Sequence, residues 1–409
     1  MENNVIKVAN DLGYGAVKAK LNDENIEFPS VMAVERAQDI SAPIQFDNKQ
    51  QQDNYFKDFI NHMDVTISSS AIKQQGRFLI GNAALESRLP LTQFDINDQM
   101  GKSQSDLSLI LTLSMIAGKR VKDAYKDGID LSETLKAEVI MATALPVIET
   151  KRTNARDAYA GRYTNATHTV TFHNFQNPIT VSIKFKKVFV AVEGETAQLY
   201  ISFGKDKKLI DELKKDYESN YQSLSQNLKI QDIISSKNVI SFDIGAGTTD
   251  ITAIINGKAN PYASVSVPYG YGSVLEDAVD VLQEQQYPIS NRSQLEEFLA
   301  EKNVLNKAKH ARVEKIVNEQ FETLADRIVN AGSRSLRKAG AEMQASFISG
   351  GGAIPMKESQ LREKITAKIN SYSGGFADIP VLWVPKEYSQ KLNCLGLEMV
   401  TDQLSKGED

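Results

Sequence analysis

Apolar and polar positions follow two different periods along this chain. Runs of strand length, rich in β-branched residues, occupy positions 5–9, 16–21, 138–144, 188–192, 239–242, 248–255 and 345–348. Strict alternation at 168–173 and 179–185, joined by a turn from Asn174 to Pro178, predicts a hairpin. Residues 27–34 read as a strand interrupted by Pro29, 77–80 as a short strand closed by Gly81, 82–85 as a helical turn, and 379–384 as a late strand. Helical spacing appears elsewhere. Leu107, Leu111, Met115, Val121 and Tyr125 mark a helix over 105–125; Val317, Phe321, Leu324 and Ile328 mark one face of a longer one. Leu361, Ile365 and Ile369 do the same within a helix expected over 356–369, and further helices are predicted at 196–203, 207–221 and from the 269–273 turn through 282. Residues 35–77, outside the short strand, are polar and irregular, with 48–54 as an exposed loop. Strands and helices mix throughout, so the class is α/β.

One segment occurs twice. Asp11-Leu12-Gly13-Tyr14-Gly15 and Asp243-Ile244-Gly245-Ala246-Gly247 lie 232 residues apart, and each is an Asp, an aliphatic residue and Gly-x-Gly between two strand-like runs. Each copy reads as a hairpin with a glycine turn and an Asp at the end of its first strand. Glycines let the backbone approach an anion, and successive turn N–H groups can point at one phosphate. An Asp beside such a turn repels phosphate by itself; with a divalent cation between them the arrangement becomes favourable. Two copies in two halves of one chain therefore suggest a grip on a single polyphosphate. A third element, Ser349-Gly350-Gly351-Gly352-Ala353, sits between a buried strand and an expected helix, where backbone N–H groups and a helix N-terminus can accept a phosphate or lie against an adenine–ribose unit.

Composition narrows the alternatives. A length of 409 residues suggests two or three domains at roughly 150 residues each. With 47 basic and 52 acidic residues the net charge is −5, which supplies no electrostatic reason to bind nucleic acid directly. Cys394 is the single cysteine, so an internal disulfide and every multi-cysteine metal site are excluded. The longest apolar stretch in a helical context, 107–118, is too short and too polar to span a bilayer, and the Met-Glu-Asn-Asn start carries no secretory signal. A cytoplasmic protein without membrane attachment is expected. His168 and His173 fall on opposite faces of one strand, which argues against a metal site, and His62 and His310 stand apart from them. The lysines at 184, 186 and 187 and at 205, 207 and 208 read as solvated surface, and Cys394 as a small buried apolar side chain.

The two Asp-glycine turns with Lys18, Thr248 and Thr249, and the Ser349-Gly-Gly-Gly loop, resemble the phosphate 1, phosphate 2 and adenosine motifs of the actin, Hsp70 and sugar-kinase superfamily. Within it, the strand ending at Leu145-Pro146 and the Phe78-Leu-Ile-Gly-Asn-Ala83 segment resemble bacterial actin-like proteins of the ParM type. The resemblance implies a two-lobed, duplicated ribonuclease H-like fold with ATP and Mg²⁺ in a cleft between lobes. Lobe I would span 1–192 with a small subdomain at about 28–104 and a C-terminal return at about 385–409; lobe II would span 193–384 with a small subdomain at about 264–340. Asp11 and Asp243 would hold magnesium waters. The turn backbone at Gly13, Tyr14, Gly15, Gly245, Ala246 and Gly247, the Thr248 and Thr249 hydroxyls and Lys18 would meet phosphates, and Gly350, Gly351 and Gly352 the nucleoside. Tyr14 departs from the usual Ser or Thr, so its contact would come from the backbone. Relatives place Glu or Gln at the end of the strand leading to the interlobe helix, which implies Glu193 as the group that orients water, with Glu195 second.

Three functions compete on such a clamp: a polymerising actin-like ATPase that segregates plasmid DNA through a DNA-binding adaptor, a small-molecule kinase, and a non-polymerising partner-binding ATPase. No acceptor loop of a kinase is visible, the chain leaves no room for an Hsp70-like peptide-binding region after the adenosine motif, and residues 401–409 are too short and polar for a membrane anchor. The filament reading is therefore the expectation, with self-association as its first partnership.

Overall fold

The β-branched run that opens the chain forms β1 (Val5–Leu12), which turns back as β2 (Ala16–Leu21) and again as β3 (Glu24–Pro29). Ser30 separates β3 from β4 (Val31–Glu35), so the single interrupted strand expected at 27–34 is two strands. β5 (Asp64–Ser68), β6 (Arg77–Ile80), β7 (Leu91–Gln93), β8 (Leu135–Leu145), β9 (His168–Phe172) and β10 (Ile179–Val192) complete one sheet, ordered β3-β2-β1-β8-β10-β9-β5-β6-β4-β7. A second sheet uses β11 (Val239–Ile244), β12 (Thr249–Ile255), β13 (Lys258–Ala259), β14 (Val265–Val267), β15 (Ala345–Ser349) and β16 (Val381–Trp383). Its order is β13-β12-β11-β15-β16, with β14 on β12. This computed structural model describes residues 5–95, 100–301, 307–340, 342–372 and 378–406. The readings made at Met1 to Asn4 and at 407–409 lie outside them.

The chain divides into two compact units, one of Met1–Leu145, Arg152–Ala191 and Cys394–Asp409, the other of Pro146–Lys151 and Val192–Asn393. Their sheets repeat one plan. In the first, β1 pairs antiparallel with β2 and parallel with β8; in the second, β11 pairs antiparallel with β12 and parallel with β15. The sequence repeat is thus a repeat of topology, and the class is α/β.

Each unit buries its own core. In the first, the helix Asp106–Lys126 is apolar on nearly every face, and Leu107, Leu111, Met115 and Ile116 join Phe59, Val139 and Phe172 in one cluster. The C-terminal helix Leu392–Lys406 lays Leu397, with half-buried Cys394, Val400 and Leu404, on a platform of Ala9, Ala142, Ala144 and Ala191. Four small side chains under one helix allow that close approach. In the second unit the long helix Lys307–Ala339 turns Val313, Val317, Phe321, Leu324 and Ile328 toward Phe242.

Several local readings need correction. The polar run at 48–54 is not a loop but the body of a helix, Lys49–Lys57, because Asn48 caps it by accepting from the Gln51 amide at 2.9 Å and Phe56 anchors its end against Tyr125 and Phe175. β5 also lies inside the stretch read as irregular; its Val65 and Ile67 are buried between β6 and β9. Residues 188–192 are not a separate strand but the end of the 14-residue β10, whose exposed Lys184 and Lys186 leave the extended backbone intact. The helix expected from 356 begins at Leu361, because a turn in which the Ser359 hydroxyl donates to the Met356 carbonyl at 2.6 Å intervenes.

His168 is fully buried, with Nδ1 2.7 Å from Ser69 Oγ and Nε2 2.8 Å from the Tyr163 carbonyl. A carbonyl can only accept, so Nε2 carries a proton. Burial lowers its pKa below the ordinary 6.5, and burial and Arg77 lower that of His173 in the same unit. Between each folded value and 6.5 the unfolded chain binds more protons, so this contribution is complete above 6.5 and lost as pH falls. Thermal melts at about pH 7.5 and about pH 5.5 should show a loss of stability on acidification that is smaller in His168→Gln; an identical loss in both proteins would contradict the assignment.

Candidate functional site

The first acid-bearing turn closes by one backbone bond: the Gly13 amide donates to the Ala16 carbonyl at 3.0 Å. A Cβ on Gly13 would stand 2.8 Å from that oxygen, so the turn requires glycine. Asp11 sits at the end of β1 directly opposite Lys18 on β2, and both are half-buried. Ser30 braces the bend from outside, its hydroxyl donating to Gly13 O at 2.7 Å and its amide to Gly15 O at 3.1 Å. The Gly13 amide is thus engaged in closing the bend. The Tyr14 ring packs edge-on against Phe94, 6.0 Å between centroids, and lies 4.7 Å from the ammonium of Lys102.

The second turn repeats this bond. The Gly245 amide donates to the Thr248 carbonyl at 2.8 Å, and Asp243 stands opposite Asp250 where Asp11 stands opposite Lys18. Here the brace comes from the start of the helix Tyr271–Glu284: the Tyr271 amide donates to Gly245 O at 3.0 Å and the Gly272 amide to Ala246 O at 2.7 Å. Thr249 is fully buried and donates to Tyr269 O at 2.9 Å, so its hydroxyl holds the turn to the next loop; half-buried Thr248, 3.2 Å from Asp250 Oδ2, is the hydroxyl on the accessible side. Ala246 and Gly247 supply the remaining bend.

The glycine loop packs on this turn through bare backbone. A Cβ on Gly350 would come within 2.3 Å of Ile244 O and 2.4 Å of Asp243 Oδ1, and one on Gly352 within 3.0 Å of Gly245 O. Gly350 also takes φ +96°, outside the range of L side chains. Ser389 holds it by two bonds at 3.0 Å, its carbonyl accepting from the Gly350 amide and its hydroxyl donating to Gly350 O. Gly351–Ala353 form a single 3₁₀ turn, so the expected helix N-terminus is replaced by loop backbone at this position.

Glu193 ends β10's run into the second unit and is 8% exposed. Its carbonyl accepts from Thr252 Oγ1 at 3.2 Å, and the following Gly194 has φ +82° with no room for a Cβ beside Thr252. Glu195 begins the helix Glu195–Phe203, and its carboxylate accepts from the Ala259 amide at 3.4 Å. The two candidates therefore differ: Glu195 is tied to the β13 edge, while Glu193 lies in the buried turn.

Two residues of the site have no local sequence signal. Lys102 is 2% exposed, and its ammonium donates to Leu12 O at 2.8 Å, on the first turn. Its own segment is clamped by Ser108, which donates to Lys102 O at 2.6 Å, and by Arg162, which donates to Ser103 O and Ser105 O at 2.9 and 2.8 Å. Asn393 donates to Asp243 Oδ2 at 2.9 Å. Cys394, next in sequence, has its thiol pushed up to about 12 by burial and then by Asp11, consistent with a packing role.

The donor chemistry fits magnesium and a phosphate ligand. Mg²⁺ takes oxygen ligands through one or two carboxylates, keeping waters and phosphates for the rest; each turn offers one carboxylate beside backbone amides. At the second turn, a side chain in place of Gly350 would collide with the Asp243 carboxylate, so that carboxylate keeps its place only beside glycine. Among the described residues no group of three or more His, Cys, Asp or Glu side chains gathers to hold a metal.

The family model of the actin-like proteins' N-terminal domain matches residues 9–195, and that of the archaeal actin homologue MreB-like C-terminal domain matches 241–363. These stretches match actin-like domains, and the chain has the fold of the ParM-type actins. The crystal structure of the actin-like protein Alp7A superposes with a TM-score of 0.66 at 15% identity, covering 99% of this chain and 98% of that one. Bacillus thuringiensis ParM with ATP gives 0.59 at 15% identity over 99% and 100%, and the archaeal actin homologue Ta0583 gives 0.59 at 15% over 98% and 99%. No curated protein matches by sequence. The matched residues include both turns and the Gly350 loop.

Gly350→Ala should destabilise the second unit by about 3 kcal/mol or more, from strain plus backbone overlap. Gly257→Ala, also at positive φ but with nothing within 4 Å of its Cβ, should cost only about 1 kcal/mol. Equal denaturant midpoints for the two variants would contradict the packing described.

Proposed function

We propose that this protein is an ATPase whose two Asp-glycine turns hold one nucleoside triphosphate, and that it assembles into nucleotide-dependent filaments that segregate plasmid DNA. The observation that carries the reading is the duplicated turn: the same glycine-to-carbonyl bond, three residues long, beside the same Asp, in each unit. Neighbours in fold whose structures hold ATP, ADP and AMPPNP, the Bacillus thuringiensis ParM set, support it.

In this reading the amides of Tyr14, Gly15, Ala246 and Gly247, with the Thr248 hydroxyl, donate to phosphate oxygens. Lys18 and Lys102 place positive charge behind the first turn. Asp11 and Asp243 would hold magnesium-bound waters, and the Gly350, Gly351 and Gly352 backbone would lie against the nucleoside. Magnesium, when bound, neutralises charge on the phosphates. Glu193 accepts a hydrogen bond from the attacking water and aligns it; the buried turn that carries it keeps other waters away.

Filament assembly follows nucleotide only if the assembled form binds the triphosphate more tightly than the diphosphate. A DNA-binding adaptor would connect such a filament to a plasmid, in the cytoplasm, since the chain's net charge of −5 gives no reason for direct DNA contact. No helix among the described residues is long and apolar enough to cross a membrane.

Right-angle light scattering of the purified protein should rise on adding ATP and Mg²⁺ and then decay. Glu193→Ala should keep nucleotide affinity, lose about a hundredfold or more in phosphate release, and hold its scattering plateau. Flat scattering over a wide concentration range, with ATP consumed only when a sugar or other small acceptor is added, would contradict the filament reading and favour a kinase.

A further inference from the structure

We infer that Asn393 is a positioning residue that sets the Asp243 carboxylate and the turn bearing Glu193 in one arrangement. The inference rests on the roles proposed above for those two acids. Its basis is a single amide side chain that makes three hydrogen bonds. Nδ2 donates to Asp243 Oδ2 at 2.9 Å; Oδ1 accepts from the Gly194 amide at 3.1 Å and from Thr196 Oγ1 at 2.9 Å. A backbone amide can only donate, so the oxygen must face Gly194, and the nitrogen is left for the carboxylate. The chemistry fixes the orientation of the amide without ambiguity between its two ends.

The consequences are local and specific. Asp243 has two oxygens: Oδ2 accepts from Asn393, and Oδ1 stands 2.4 Å from where a Cβ on Gly350 would be, space that only glycine leaves to it. The Asn393 bond thereby sets the rotation of the carboxylate. The turn at Glu193 and Gly194 is likewise pinned twice, by Thr252 Oγ1 on the Glu193 carbonyl and by Asn393 on the Gly194 amide. A rotation of Asp243 changes the pull on Asn393 Nδ2, and the same rigid amide plane transmits it to the Gly194 N–H. The residues joined are also those next to two of the chain's passages between units, Ala191 to Val192 and Asn393 to Cys394. Aspartate here would set two carboxylates side by side, and leucine would fill the volume with no bonds.

Two equilibrium measurements test this, with methylanthraniloyl-ADP as the probe. In wild-type protein, adding Mg²⁺ to the nucleotide-bound form should slow exchange of the Gly194 amide relative to nucleotide in EDTA. Asn393→Leu should raise the Mg²⁺ needed for half-maximal tight binding of the probe about tenfold, the loss of one hydrogen bond to a charged group. Thr196→Val, which leaves the Asp243 bond in place, should titrate as wild type. A folded Asn393→Leu with the wild-type Mg²⁺ titration overturns the inference. Unaltered Gly194 exchange in the wild-type protein overturns it also, and this holds even where the variant does not fold. If wild-type protein fails to bind the probe with or without Mg²⁺, the nucleotide reading itself falls, and the role of Asn393 with it.

Discussion

A glycine amide that donates to the carbonyl three residues ahead governs both halves of this chain. The bond from Gly13 to Ala16 and its copy from Gly245 to Thr248 fold each hairpin sharply: a side chain at Gly13 has no place, and one at Gly245 would be tight, 3.1 Å from the Thr248 carbonyl. The bend sets each glycine turn directly after a carboxylate on the strand before it. An anion alone finds no advantage there, because the Asp repels it; an anion with a hard cation does. In the proposed reading, two short turns thus narrow the ligand class before any other residue is considered.

The surroundings serve to keep those bends rigid, and each unit does so with different parts. The first turn is braced by Ser30 and underlaid by Lys102, whose burial at 2% exposure is tolerable because its ammonium meets the Leu12 carbonyl and the Tyr14 ring. Tyr14, unusual at its position, thereby acquires a partner. The second turn is braced by helix-start amides and by a glycine loop in backbone contact with it. Conserving the hydrogen bond while exchanging its supports is what a duplicated fold permits, since a bend is specified by its own closure and stabilised by whatever packs outside it.

How much of this was legible in the chain depends on distance. The repeated Asp-glycine segment, the alternation in β9 and β10 and the helical stripe at Leu107 to Tyr125 are local patterns, and the elements form where the patterns lie. The Lys49–Lys57 helix was hidden because its anchors, Tyr125 and Phe175, come from far along the chain. β5 was hidden because five residues between β6 and β9 need their neighbours to show which face is buried. Lys102 and Asn393 reach the turns from 90 and 150 residues away, respectively. Nothing in the residues around them signals that destination. Spacing locates a backbone device well; the side chains that steady it are recruited by tertiary structure.

Titration calorimetry with ATP and Mg²⁺ on the purified, folded protein bears most directly on the claim that two turns serve one ligand. The account predicts a single site per chain, with the heat abolished by Asp11→Ala and equally by Asp243→Ala in proteins that melt as the parent does. Two sites, each surviving loss of the other's carboxylate, or no heat with any nucleoside triphosphate, would contradict it.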